Sequence, residues 1–506
     1  MVATRAASRT PASSGAPAAP TRAASPPPPP LSSRRGTGPP APAAPRADAA
    51  PPAAPHAVAP PHSVAPSPHA HAFEFGGPVG AAVLTLALPL VPFFLLRACS
   101  ATGCVRLPGL DPLPPAASAP LASASGVAAF TSWVVACCVL HMLLPGKRVQ
   151  GTLLPDGTRL TYKLNGACCV FSKPRSLPSS LSHRTRSPAL RVALVLAAAA
   201  VALTYARLFD PVWVVDHYAE LLSGSVLFSA CLSVYLFASS FGQSKLLAAS
   251  PPSAPWIYSF FVGRELNPRL GALDLKQFCE LTPGLILWLA LDCCFAYAQF
   301  ARTGSVDRGM WLVLAFHAHY VLDALACEPA ILTTMDITTD GFGFMLSFGD
   351  LTWVPFTYSL QARFLLDRPV PMSAPAVCAI LAVQAVGYTI FRGANSQKDA
   401  FRTDPKGKTV AHLRSLPTKR GTRLLVSGWW GAARHINYLG DWVMAWAWCL
   451  PCGFSSVVPY FYVVYFGALL VHRERRDDAH CRAKYGEEDW EAYCVQVPWR
   501  IVPYVY

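Results

Sequence analysis

Two groups of residues in this 506-residue chain have types and spacings that suit chemistry. The first interrupts long apolar runs: Asp292, His317, His319, Tyr320, Asp323, Glu328, Asp336 and Asp340. Ionisable groups at membrane depth are costly to hold, so a cluster of them on neighbouring segments points to function. Hydrogen bonding from helix to helix is the structural alternative for any single member. The second group is basic. Lys398 and Arg402 stand four apart, which on a helix puts two cations on one face, suited to phosphate oxygens. Arg473, Asp477, Cys481 and Lys484 recur at intervals of four, four and three, one stripe of a helix that Gly486 terminates. That stripe is no core face, and an ion pair of Arg473 with Asp477 inside the helix is the alternative to a ligand site.

Other motifs carry less. The glycines at 341 and 343 do not make a GxGxxG and no strand–helix–strand pattern surrounds them, which argues against a Rossmann site. Cys449 and Cys452 form a lone CxxC at the end of an apolar run, without a second pair at zinc spacing. His317 and His319 are two apart, so a helix sends them to different sides. No metal is expected.

The elements that must position these residues follow from composition. With 53% hydrophobic and 14% charged residues the chain reads as a membrane protein, and its net charge of +14 reads as loop charge that orients spans rather than as a nucleic-acid footprint. Runs close to spanning length lie at about 76–97, 124–144, 189–209, 223–241, 281–300, 309–331, 342–365, 374–391, 438–453 and 455–472. The expected fold is therefore all-α, a polytopic transmembrane helix bundle of about ten spans in contact with the lipid bilayer. Segment 146–188 has eight Lys/Arg against one acid and 392–434 has ten against two, whereas 209–222 has three acids and no Lys or Arg. Ten spans with both termini in the cytosol place the basic loops in the cytosol and the acidic one in the lumen. Residues 1–72, rich in Ala and Pro and free of aromatics, read as a disordered cytosolic tail. Residues 73–506 read as one membrane domain whose 392–506 part carries the basic group. The cysteines, many of them within apolar runs, read as small buried hydrophobes of a reducing or membrane setting.

The same stretches resemble the sterol C-14 and related sterol reductases, a family that includes the membrane part of the lamin B receptor. The resemblance rests on Gly263–Gly271 (GRELNPRLG), Asp340–Met345 (DGFGFM), Phe348–Leu351, Gln397–Arg402, Gly428–Gly431, Arg434–Asp441 (RHINYLGD) and the run from His472 to Tyr506. It spans roughly residues 75–506. The departures noted are an acid inserted within Glu487–Trp490, Trp499 in place of Tyr or Phe, and Thr282 where close relatives carry Arg.

The resemblance implies a C-terminal pocket for NADPH, open to the cytosol. It implies that Lys398, Arg402, Leu425, Trp430, Asn437, Tyr438, Arg473, Asp477, Cys481, Lys484, Tyr485 and Tyr493 line that pocket. It also implies NADPH-dependent delta(14)-sterol reductase activity in a multi-pass protein of the endoplasmic reticulum membrane, with a sterol substrate and other sterol-biosynthesis enzymes as neighbours. Reduction of the C14=C15 bond takes a proton at one carbon and a hydride at the other. Tyr320 is the expected proton donor, since its hydroxyl is neutral at pH 7 and cheap to bury, and Asp323 one turn on is the expected relay. The alternatives are a sibling reductase of the C7 or C24(28) double bond, an isoprenylcysteine-type methyltransferase, and a non-catalytic nuclear-envelope receptor.

Overall fold

The computed structural model describes residues 73–100, 103–104, 121–154, 157–164, 188–243, 245–251 and 253–506, so the expectation for residues 1–72 lies outside the described residues. Helices dominate them, and strands occur there in two-stranded antiparallel ladders. Ala124–Leu143, Tyr218–Ser239, Leu275–Thr303, Arg308–Ala326 and Ala374–Thr403 are each long and apolar enough to cross a membrane. Gly77–Ala87 and Leu90–Ala98 form a sixth candidate bent by 44°, with Pro89 at the break and Pro92 in the next turn. The fold is a polytopic membrane helix bundle, as the hydrophobic runs predict.

The remaining runs take other forms. Residues 189–205 form a shorter apolar helix. The run 342–365 is cut into Phe344–Phe348, a π-helical turn at Gly349–Trp353, Val354–Tyr358 and Leu360–Asp367. The last two runs become Ile436–Cys449 and the first half of Phe461–Tyr485, which continues well past the apolar stretch.

Charge sorts the connections to two ends. At one end the acidic connection meets Arg302, which lies 4.0 Å from Asp216 and 3.1 Å from Asp367, and Arg308 donates to the Met372 carbonyl at 3.0 Å. At the other, Arg476 pairs with Glu74 at 3.0 Å and with Asp340 at 2.8 Å, and Arg473 with Asp336 at 2.8 Å. The cysteine expectation needs one correction. Cys99 and Cys104 are disulfide-bonded across the ladder that follows the first apolar pair, where Cys104 Sγ lies 3.2 Å from Ser456 Oγ. These two cysteines sit beyond the end of the helix, so neither is a free thiol in an apolar face.

Two features hold the site-bearing helices together. Ala374–Thr403 and Ile436–Cys449 cross where Gly387 meets Gly440. A Cβ on Gly440 would come within 2.5 Å of the Phe391 nitrogen, and one on Gly387 within 2.9 Å of the Gly440 carbonyl. Lys276, fully buried, caps the 336–340 loop by donating to the Asp340 carbonyl at 2.6 Å and the Ile337 carbonyl at 3.4 Å. Side chains of that loop in turn receive Arg473 and Arg476.

Candidate active site

The Ala374–Thr403 helix is capped by Ser373, whose Oγ accepts from the Ala376 N–H at 3.4 Å, and extends far enough to carry Lys398 and Arg402 on its last turns. Lys398 Nζ lies 4.0 Å above the Trp430 ring, a cation–π contact, and the Trp430 indole donates to the Ala394 carbonyl at 2.8 Å. Leu425, on the short strand Arg423–Leu425, is buried with Trp430, Phe401 and Ile436. Asn437 and Tyr438 occupy the first turn of Ile436–Cys449. Asn437 Nδ2 donates to Asn395 at 3.4 Å, while its Oδ1 is buried without a partner among the described residues.

The stripe on Phe461–Tyr485 makes its ion pairs with other elements. Arg473 turns to Asp336, and Asp477 accepts from the Tyr438 hydroxyl at 2.6 Å with His435 Nδ1 3.8 Å away. The ladder internal to the helix is therefore not what forms. Gly486, at φ 88°, ends the helix as its position predicts. Beyond it, Glu487–Gln496 packs Tyr493 against Trp490 at 5.0 Å, in a small core that Cys481 and Tyr485 join. The twelve residues that the resemblance assigns thus share one region at the end of the bundle that holds the basic segments.

Electrostatics set this region apart. Burial, and then the neighbouring Arg402, hold the Lys484 ammonium below the usual lysine range. Arg402 and Lys484 lie close enough to Lys398 to repel it, and Arg402 and Arg420 close enough to repel Lys484. Burial pushes the Cys481 thiol up to about 11, with Asp477 adding to the shift, and burial lowers His435 to about 4 against the pull of Asp477. Crowded cations beside a flat indole and an orphaned amide oxygen fit a phosphate-bearing dinucleotide.

The second constellation lies deeper. Tyr320 is packed between Trp288, at 6.0 Å, and Trp448, at 5.1 Å. Trp288 Nε1 lies 3.2 Å from His317 Nδ1, which is itself 2.8 Å from Asp292 Oδ2, and the histidine and the acid are both fully buried. His319 points the other way, against Tyr388 at 4.4 Å, as the two-residue spacing predicts. Asp323 is held by an ion pair with Arg392. Asp441, one turn beyond Asn437 and Tyr438, lies close enough to both Tyr320 and Arg473 to interact with them. Asp441 therefore joins the two groups into one site. Its sequence signal was a single carboxylate inside the apolar Ile436–Cys449 helix. Asp336 as the seat of Arg473 had no local signal, because the two are 137 positions apart. Cys449 and Cys452 are buried, Cys449 donating to the Pro459 carbonyl at 3.3 Å.

Residues 118–506 match the sequence profile of the Ergosterol biosynthesis ERG4/ERG24 family, more than half of the chain. The chain belongs to this family. It is 45% identical over 440 residues to the Delta(14)-sterol reductase erg24 of Schizosaccharomyces pombe, covering 86% of this chain and 97% of that protein. A Mus musculus Delta(14)-sterol reductase is 44% identical over 434 residues, covering 86% and 97%. The Gallus gallus Delta(14)-sterol reductase LBR is 42% identical over 437 residues, covering 86% of this chain but 64% of that longer protein. The resemblance drawn from the motif blocks is thereby borne out at the level of the family.

Proposed function

We propose that this chain is an NADPH-dependent delta(14)-sterol reductase that saturates the C14=C15 bond of a sterol intermediate. The observation that carries the reading is the continuity of the two groups: the half-buried Tyr320 and Asp441 interact one helical turn from Asn437 and Tyr438, at the edge of the cation cluster. The shared name of relatives that align over 86% of the chain supports the choice of double bond.

In this reading Lys398, Arg402 and Lys484 bind the cofactor's phosphates, Trp430 and Tyr438 flank its flat groups, and Asn437 reads an amide edge. Arg473 and Asp477 set the polar wall, and Leu425, Cys481, Tyr485 and Tyr493 close it. NADPH when bound supplies the hydride. Tyr320 donates the proton to the alkene carbon, and Asp441 holds the hydroxyl in place and returns a proton to it. Asp323, restrained by Arg392, tunes Tyr320 from one turn away. The ring of Trp288, Trp448 and Tyr358 keeps water from the cation that protonation leaves on the sterol.

The protein is assigned to the endoplasmic reticulum membrane, with residues 73–506 as the reductase domain, residues 1–72 as an appended tail, and other sterol-biosynthesis enzymes as neighbours. Sterol profiling of cells that lack the gene tests the assignment. Δ8,14-sterols should accumulate, and accumulation of Δ7 or C24(28) intermediates instead would reassign the chain to a sibling reaction.

A further inference from the structure

Away from the reductase site, a cavity of about 280 Å³ opens where the Ala124–Leu143 span ends. Its walls are the last turn of that span, the Lys147–Leu153 and Arg159–Leu164 hairpin, and the start of Leu275–Leu281. His141 lines it and is only 2% exposed, yet its Nδ1 has no hydrogen-bond partner among the described residues. Lys163 Nζ donates to the His141 and Met142 carbonyls at 3.0 and 2.8 Å, which satisfies the helix end and leaves one N–H over. Arg148 lies near enough to repel it: burial and that guanidinium together hold Lys163 below the usual lysine range.

The local acid does not neutralise these cations. Asp274, the one acid lining the cavity among the described residues, is engaged by Arg269 at 3.2 Å, and the sequence from 157 to 188 contains no Asp or Glu. Next to the cavity, Met142 and Leu143 are 52% and 76% exposed on the final turn of a membrane span, where acyl chains lie. A buried imidazole whose Nδ1 is unpartnered and two cations not neutralised among the described residues, with an apolar flank at the end of a candidate span, form one amphipathic site.

We propose that this cavity holds the phosphate-bearing headgroup of an anionic phospholipid. Arg148 grips the phosphate in its planar fork, Lys163 adds a point charge, and His141 Nδ1 meets a headgroup oxygen. The phosphate chemistry alone would equally admit a soluble phosphate ester; the lipid is favoured by the exposed Met142 and Leu143 beside the opening.

The test uses the full chain purified in detergent and exchanged into mixed micelles of phosphatidic acid and phosphatidylcholine, with bound lipid counted by native mass spectrometry. Wild type should retain phosphatidic acid about 10-fold over phosphatidylcholine, and Arg148→Glu should lose that preference. Arg148 is exposed, so its replacement removes no packing, and an unchanged melting curve in phosphatidylcholine confirms folding. Lys408→Glu, an equal charge change on an exposed loop, should behave as wild type. Retention by Arg148→Glu, or equal loss in Lys408→Glu, overturns the site. Displacement of the lipid by glycerol 3-phosphate or inorganic phosphate at matched concentration overturns the lipid assignment and gives the cavity to a soluble phosphate.

Discussion

Tyr320 sits among indoles well inside the bundle, whereas Arg473 reaches the polar end, so single substitutions separate chemistry from cofactor binding. Tyr320→Phe keeps the ring and removes the hydroxyl. It should leave NADPH affinity intact and cut turnover about 10²-fold, the usual scale for loss of a general acid. Near-normal turnover at saturating NADPH and sterol would end the proposed role. Under the proposed function, charge selects the cofactor by the same logic. Ala at both 398 and 402 should erase most of the preference for NADPH over NADH, on the order of 2–4 kcal/mol if both cations contact the 2′-phosphate. Comparison of kcat/KM for the two nucleotides measures it, and wild-type discrimination in the double variant would place the phosphate elsewhere. His435 gives a pH signature. Burial lowers its folded pKa to about 4, below the ordinary 6.5, so folding favours the neutral ring. The stability it contributes is complete above pH 6.5 and is lost as pH falls towards 4. Thermal unfolding followed from pH 7.5 to 4.5 should therefore steepen less in His435→Gln than in wild type, and parallel curves would contradict a buried neutral ring.

Among elements, the crossing of Ala374–Thr403 and Ile436–Cys449 fixes where cations, amide and acid meet. Gly440→Ala should destabilise the domain by about 1–3 kcal/mol, because its methyl would press on backbone that cannot move aside as a flexible side chain would. It should also raise KM for NADPH as Lys398 and Asn437 part. A denaturation midpoint and a cofactor KM both unchanged would show that the crossing tolerates the methyl. The stripe of Arg473, Asp477, Cys481 and Lys484 was legible because helical periodicity needs nothing beyond the local sequence. Its partners were not. The loop at 336–340, Lys276 beneath it and the 404–434 segment with Leu425 and Trp430 lie far apart in sequence and meet only through packing. Asp323 shows the same limit: one turn from Tyr320 in sequence, it is claimed in space by Arg392.

For the whole molecule, the separation of charge between two ends yields a topological prediction. Glycosylation sequons engineered at 404–413 should stay unmodified, and sequons in 209–217 should be modified, if the basic end faces the cytosol. Modification of the 404–413 site would invert the assignment. The Cys99–Cys104 disulfide agrees with this orientation, since it lies beyond the first apolar pair, at the end expected to meet an oxidising lumen. Hydrophobic length by itself determined that the chain is a helical membrane bundle, because the bilayer imposes that rule on any sequence. The motif blocks determined the family. Only the tertiary structure decided that Asp441 comes close to Tyr320, that Arg473 rests on Asp336 rather than on Asp477, and that Lys398 lies over Trp430. Each of those depends on which helix faces cross, and that is set by close contacts such as Gly387 with Gly440, which no local periodicity encodes.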